Sequence, residues 1–516
     1  MQKTKQKNHS LSTILATAGL VVLLAISFLG FFAAAWYVRV YGRIGFDSII
    51  FTLTSSLGGV DQGLIKDFML CAALPTVLCT AIVSLLLFWG GKPLTIRGKK
   101  LLPMKRTVSA VISLALSLCL LIHGAFNSQL VSYVVAIFSE SELYETEYRD
   151  PQEVAITFPE EKRNLIYIML ESMETSYQDT SLGGALEYNL IPELTQLAQI
   201  NINFSHNDTV GGFREVTGAS WTVGAMVAHT AGVPLKVPEG IQDWQNGYGK
   251  DGEFLPGLNG LTGLLKEQGY YQALMVGSDA NFGGRKTYFE THGIDKVYDL
   301  YTAWYDGTVK TGYWNDWWGF EDEILFEYAK KELTQMASRD QPFAFTMLTV
   351  DTHHIGGYTC RKCGSNYEES YENAIACSSK QVAEFVAWIQ AQDFYENTTV
   401  VITGDHCSMD KGYFSRNVEE DYTRHVYNCF INAAATPSYT QNRQFSALDM
   451  FPTTLAAMGC TIEGDRLGLG TNLFSNLPTL MERFGYNILC NELAKQSDYY
   501  AGNFYGEIDY SPKPTE

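Results

Sequence analysis

NLIYIMLES (164–172) and TTVVITGDH (398–406) are two almost unbroken apolar runs that each stop at acidic residues, Glu171 in the first and Asp405 with His406 in the second. A run that is apolar at consecutive positions, rather than at alternate ones, predicts a strand covered on both faces. Further strands are expected at 271–276, 342–350 and 427–433, and helices at 190–199, 258–268, 321–337, 371–392 and 447–458. Apolar strands separated by helices predict an α/β sandwich, in which ligands gather at the carboxyl ends of the strands. The polar residues fall at those ends: Glu171, then Asp279, then Asp351, His353 and His354, then Asp405 and His406.

The 516 residues carry a net charge of −19, unevenly placed. Residues 1–137 hold 12 Lys/Arg against 3 Asp/Glu, and the remainder holds 25 against 53. So acidic a surface argues against nucleic acid as a partner. A phosphorylated substrate stays compatible with it, because a metal ion can reverse the field inside a pocket. Three apolar stretches, near 12–38, 68–89 and 108 to at least 121 and toward 135, are long enough to cross a bilayer, though His123, Asn127 and Gln129 interrupt the third. Lys3, Lys5 and Lys7 before the first stretch, and Lys92, Arg97, Lys99, Lys100, Lys105 and Arg106 between the second and third, place those segments on the cytoplasmic side. The expected organisation is a transmembrane region of three helices (1–137), a juxtamembrane linker (138–163) and an extracytoplasmic catalytic domain (164–516). Segment 44–60 is too short to span; it lies along the outer interface, re-enters it, or forms an ordinary loop.

Glu171 with Asp405 and His406 suits a hard divalent cation, which takes carboxylate oxygens and an imidazole on short tethers. Taken singly, Glu171 also reads as a helix cap and Gly404–Asp405–His406 as a turn; their joint placement after two apolar strands favours the metal. In GGFREVTGASWTVGAMVAHTAGVPL (211–235) a Gly/Ser/Thr-rich turn enters a helical pattern, which puts Thr222 near a helix N-terminus where phosphate and a deprotonated oxygen are stabilised. Thr222 is there either a nucleophile or, with Ser220, simply the cap. In NFGGRKTYF (281–289), Arg285 is a candidate phosphate clamp and Lys286 its competitor. In VDTHHIGG (350–357), His353 or His354 can serve a leaving oxygen or the phosphoryl group, and either also reads as structural. The aromatic run 301–320 is a carbohydrate or lipid rim, or a packed core. Cys360 and Cys363 form a CxxC with Cys377 behind, without the second clustered pair expected of zinc. In an oxidising compartment the expected bridge is Cys363–Cys377, with Cys360 the alternative partner.

The motif FRxVxGxxWTxxxMVAxxxGxPL (213–235), DTHH (351–354) and the cysteine-containing stretch that follows resemble the lipoteichoic acid synthase and phosphoglycerol transferase family. That family is a membrane-anchored, sulfatase-like branch of the alkaline phosphatase superfamily. Its glycan phosphoglycerol transferase branch is the nearer one, and the resemblance runs through essentially the whole chain. It implies a sulfatase-like α/β sandwich behind an α-helical transmembrane region, in the cell membrane. It further implies Glu171, Thr222, Asp405 and His406 as ligands of manganese, or of magnesium in its place, with Thr222 also the nucleophile. Arg285 and His353 would contact the phosphate, with His354 a further substrate-binding candidate. The implied reaction moves glycerol phosphate from phosphatidylglycerol, through a glycerophospho-threonine, to a glycan or a glycerophosphate polymer. Lipoteichoic acid synthases carry a tryptophan two residues before the arginine; Gly283 stands there in this chain, so its pocket differs from theirs. GFEDEILF (319–326) resembles another family signature. Alternatives are a phosphoethanolamine transferase or tethered hydrolase on the same fold, and a non-catalytic surface protein. The CxPxR-like motif of formylglycine sulfatases does not surround Thr222.

Overall fold

The computed structural model describes residues 11–41, 62–88, 94–96, 99–101, 105–236, 253–311 and 319–505. Segment 44–60, Lys3, Lys5, Lys7, Lys92, Arg97 and the 312–318 part of the aromatic run lie outside them. Two compact units part between Val134 and Val135.

In the first unit three helices are long and apolar enough to cross a membrane: Leu11–Val40, Ile65–Phe88 and Arg106–Asn127, of 30, 24 and 22 residues. At about 1.5 Å per residue each covers the hydrocarbon thickness, and together they form an apolar helical anchor. Two of the polar residues that interrupt the third stretch satisfy each other, with Asn127 Nδ2 2.8 Å from His123 Nε2.

The second unit is built on a seven-stranded sheet of β1 (Asn164–Leu170), β2 (Gly212–Phe213), β3 (Tyr271–Val276), β4 (Lys296–Tyr298), β5 (Phe343–Leu348), β6 (Thr398–Gly404) and β7 (Val426–Ile431), in the order β2-β7-β6-β1-β5-β3-β4. Strands β6, β1, β5, β3 and β4 are parallel, and β7 runs antiparallel to β6 and β2. Along β1, Leu165, Tyr167 and Met169 enter one hydrophobic core, and Ile166 with Ile168 and Leu170 enter the other. Successive side chains of a strand point to opposite faces, so a strand with a core on each side must be apolar throughout. The first core takes helices Thr222–Ala231 and Met450–Ala457; the second takes Pro192–Ile200, Asp322–Ala337 and Ser370–Gln390. β2 and β4, of two and three residues, are too short to announce themselves in sequence. β7 stops at Ile431 because Asn432 turns to φ +53°.

The stretch read as a linker is packed into this unit. Helix Leu143–Glu147 buries Leu143 and Tyr144, Tyr148 packs against Tyr499 and Phe504, and Ile156–Thr157 pairs with Thr461–Ile462. Glu147 takes both Arg466 and Arg483, at 2.9 and 2.7 Å. The charges and prolines of 139–163 suggest solvent, but Tyr144 in the helix and Tyr148 at its C-terminal cap are both buried.

Candidate active site

The parallel register of β1 and β6 pairs Leu170 with Gly404, so the next residues, Glu171 and Asp405, emerge side by side at the carboxyl edge. Gly404 is required there: a Cβ would lie 2.0 Å from the carbonyl oxygen of Met173. The edge is pinned by the Asp405 amide donating to the Leu170 carbonyl at 3.1 Å and the Glu171 amide donating to Thr349 Oγ1 at 3.0 Å. Ser172, held at φ +53°, donates its amide to Asp405 Oδ1 and its hydroxyl to Glu171 Oε1, both at 2.8 Å. A non-glycine residue in that conformation stores backbone strain of the kind found at functional sites.

Glu171, Asp405 and His406 are buried and offer ligand atoms that all lie within 4.8 Å of one another. His406 Nδ1 lies 2.9 Å from the Cys407 carbonyl and donates to it, which turns Nε2 toward Asp405 Oδ2 at 3.3 Å and Glu171 Oε1 at 3.8 Å. Glu171 Oε2 and Asp405 Oδ2 are buried and accept no hydrogen bond. Orphaned carboxylate oxygens beside an imidazole are a donor set that fits a divalent cation. Electrostatics give the same reading. Burial, then repulsion from Asp405, raises Glu171 to about 8. Burial alone would lower His406, but the carboxylates of Asp405, Glu171 and Glu215 outweigh it and raise the imidazole to about 9.

Thr222 opens a ten-residue helix whose remaining nine residues are all buried. The N-cap position belongs to Trp221, in extended conformation and making no side-chain cap bond. The capping alternative therefore does not apply to Thr222, whose Oγ1 instead lies 3.4 Å from His406 Nε2. Thr222 is half-buried and reachable, in contrast to the fully enclosed acids beside it.

Arg285 is buried at the start of helix Arg285–Thr291, with Nε donating to the Phe282 carbonyl at 3.0 Å and NH2 to the Asp279 carbonyl and Ser278 Oγ at 2.6 and 3.1 Å. Burial lowers its pKa to about 10, and Asp279, Glu171, Asp299 and Asp405 hold the charge in place. Lys286 turns outward toward Glu290 at 3.9 Å, so of the two candidates it is Arg285 that faces the acidic cluster. Gly283 has φ +67°, a conformation that a tryptophan at this position would strain against. His353 and His354 stack at 4.5 Å. The His353 Nδ1–H donates to the His354 carbonyl at 2.6 Å, which leaves Nε2 as the acceptor. Burial, then His354, pushes His353 well below the usual imidazole range, so it is neutral: a proton acceptor rather than a standing acid.

Several supporting groups escape a sequence reading. Glu215 accepts the Cys407 amide at 2.7 Å, and Glu174 accepts the Ser408 amide at 3.0 Å and Arg424 Nε at 2.7 Å, so two acids from elsewhere in the chain hold the turn after Asp405–His406. Glu215 lies inside the 211–235 motif, the one sequence signal that points to it. Asp322, in the GFEDEILF signature, accepts the amides of Val350 and Asp351 at 2.7 and 3.1 Å and so fixes the start of the His353 loop. The cysteines also differ from expectation. Cys360 Sγ lies 3.7 Å from Cys363 Sγ and 3.8 Å from Cys377 Sγ, and all three are free thiols. Cys360, not Cys363, is the sulfur common to both contacts.

The sulfatase family pattern matches residues 163–460, from the start of β1 to just past helix Met450–Ala457. The chain belongs to the sulfatase family. Phosphoglycerol transferase I of Citrobacter koseri is 30% identical over 418 residues, which is 77% of this chain and 49% of that protein. The protein of the same name from Xanthomonas campestris is 30% identical over 336 residues, 64% of this chain and 45% of its own length. The sulfatase-family chain thus spans about half the length of the curated relatives it matches. The lipoteichoic acid synthase LtaP of Listeria monocytogenes superposes with a TM-score of 0.47 at 18% identity, covering 62% of this chain and 79% of that one.

Proposed function

We propose that this protein is a multi-pass membrane enzyme that transfers sn-glycerol phosphate from phosphatidylglycerol to a cell-surface glycan or glycerophosphate polymer. The observation that carries the reading is the reachable Thr222 hydroxyl, at the N-terminus of a buried helix and 3.4 Å from His406 beside two orphaned carboxylates. The 30% identity to phosphoglycerol transferase I supports the choice of group transferred.

Glu171, Thr222, Asp405 and His406 would hold manganese, or magnesium in its place, which when bound lowers a hydroxyl's pKa and offsets phosphoryl charge. Thr222 Oγ1 attacks the phosphorus of the lipid as its hydroxyl proton passes to His353 Nε2, which hands it to the diacylglycerol oxygen as the bond from that oxygen to phosphorus breaks. The product is a glycerophospho-threonine and free diacylglycerol. An acceptor hydroxyl then attacks the same phosphorus, giving its proton to His353 Nε2, and that proton returns to Thr222 Oγ1 as the bond from Oγ1 to phosphorus breaks. Arg285, its donors fanned by Phe282, Ser278 and Asp279, orients the phosphoryl oxygens, with His354 lining the same loop. The basic short segments near the apolar helices favour placing residues 164–516 outside the cell, where the donor lipid is present.

The test incubates the full-length protein in detergent with manganese and glycerol-labelled phosphatidylglycerol, and maps peptides by mass spectrometry. A glycerophosphate adduct on Thr222, absent in Thr222→Ala, is expected. An active Thr222→Ala enzyme would refute the mechanism, and labelled phosphatidylethanolamine forming the adduct in preference would reassign the donor.

A further inference from the structure

We propose that Cys360, Cys363 and Cys377 form a second metal site that takes one zinc ion, bound by three thiolates with water in the fourth position. A disulfide needs an S–S distance of about 2.05 Å, whereas two thiolates at about 2.3 Å from zinc in a tetrahedron stand about 3.8 Å apart. The two contacts of Cys360 are 3.7 and 3.8 Å, and the three Sγ atoms all lie within 4.8 Å of one another.

Local structure fits a thiolate at Cys360 as well. Cys360 and Cys363 close a tight turn in which the Cys363 amide donates to the Cys360 carbonyl at 3.1 Å. The amides of Lys362 and Cys363 also point at Cys360 Sγ, and these N–H···S bonds stabilise a charged sulfur. Cys377 projects from helix Ser370–Gln390, and Gln381, one turn further on, directs Nε2 to its sulfur at 3.4 Å. Cys360 and Cys377 are buried, and Cys363 is half-exposed, which leaves the water position open.

A second, independent observation asks for a cation here. Asp351 is 1% exposed, and neither of its carboxylate oxygens has a hydrogen-bond partner. A buried carboxylate with no partner is costly until positive charge arrives. The expectation that zinc needs a second CxxC is replaced by a CxxC plus one helical cysteine brought in by the fold. Such an ion would clamp the segment that follows His353 and His354 onto a helix of the sheet.

Zinc in the full-length protein, solubilised under reducing conditions without chelator, is counted by plasma mass spectrometry, and cobalt is then exchanged in and its spectrum recorded. Wild type and Asp405→Asn, which disables the other cluster, should each retain zinc and give an intense near-ultraviolet thiolate-to-cobalt band. Cys363→Ser/Cys377→Ser should lose both the zinc and the band. A cobalt spectrum without that band would overturn the proposal. So would a disulfide between any two of the three cysteines, found in protein alkylated directly in membranes. Both results are read on wild type, so a misfolded variant does not shield the idea.

Discussion

Glu171→Gln should make the metal-free protein more stable at neutral pH while abolishing its response to manganese. Glu171 has its carboxyl raised from 4.5 to about 8 in the folded chain. Between those values the folded state holds a proton that the unfolded state has released, so stability falls as pH rises through that window. At about pH 7.5 the gap is about three units, and at about 1.4 kcal/mol per unit the ceiling is about 4 kcal/mol. Glu171 also helps to hold the His406 imidazolium, raised from 6.5 to about 9. That stability is present below 6.5 and lost as pH rises through about 9, and the substitution gives part of it up. The net gain is therefore about 2 kcal/mol near pH 7.5 and under about 1 kcal/mol near pH 5. Glutamine keeps an oxygen for the Ser172 hydroxyl and removes only the charge.

The assay is thermal unfolding of detergent-solubilised protein with EDTA at both pH values, repeated with manganese. The apparent Tm of Glu171→Gln should exceed wild type by about 2–4 °C near pH 7.5 and by little near pH 5. Manganese should raise the wild-type Tm by mass action and leave the variant unmoved. Equal destabilisation at both pH values, or an intact manganese shift in the variant, would refute the reading of this cluster as a cation site.

Arg285→Lys replaces the donors bound to Phe282, Ser278 and Asp279 with a single ammonium; kcat/KM with labelled phosphatidylglycerol should fall on the order of 100-fold, and a fall under about threefold would remove Arg285 from phosphate binding. Glu174→Ala strands Arg424 and the Ser408 amide and should cost about 3 kcal/mol in chemical denaturation. Because that network holds the turn after His406, manganese affinity by calorimetry should also drop about 10–100-fold.

Much of the site was legible because the local signals agreed. β1, β3 and β6 begin where the apolar runs begin, and their acids stand at the ends of those runs. Trp221 as N-cap was not legible, since neither propensity nor spacing favours an indole over Ser220 or Thr222 at that position. The choice of Arg285 over Lys286 was equally hidden: adjacent residues on a helix point in different directions, and which one faces the acids depends on how Arg285–Thr291 is docked. The packing of 138–163 was hidden for a related reason, because the partners of Tyr148, Tyr499 and Phe504, lie some 350 residues away.

By itself the sequence determined that this chain has a doubly covered sheet, apolar helices at its start, and acids at strand ends. These follow from periodicity and composition, which act over a few residues. Tertiary structure decided that β6 lies beside β1 in the register Leu170 to Gly404, which brings Glu171 to Asp405. It also decided that Thr222 is aimed at His406 rather than capping its own helix, and that Cys377 joins Cys360 and Cys363. Those meetings depend on which strands pair and which helices cover them, and no short window of sequence encodes that choice.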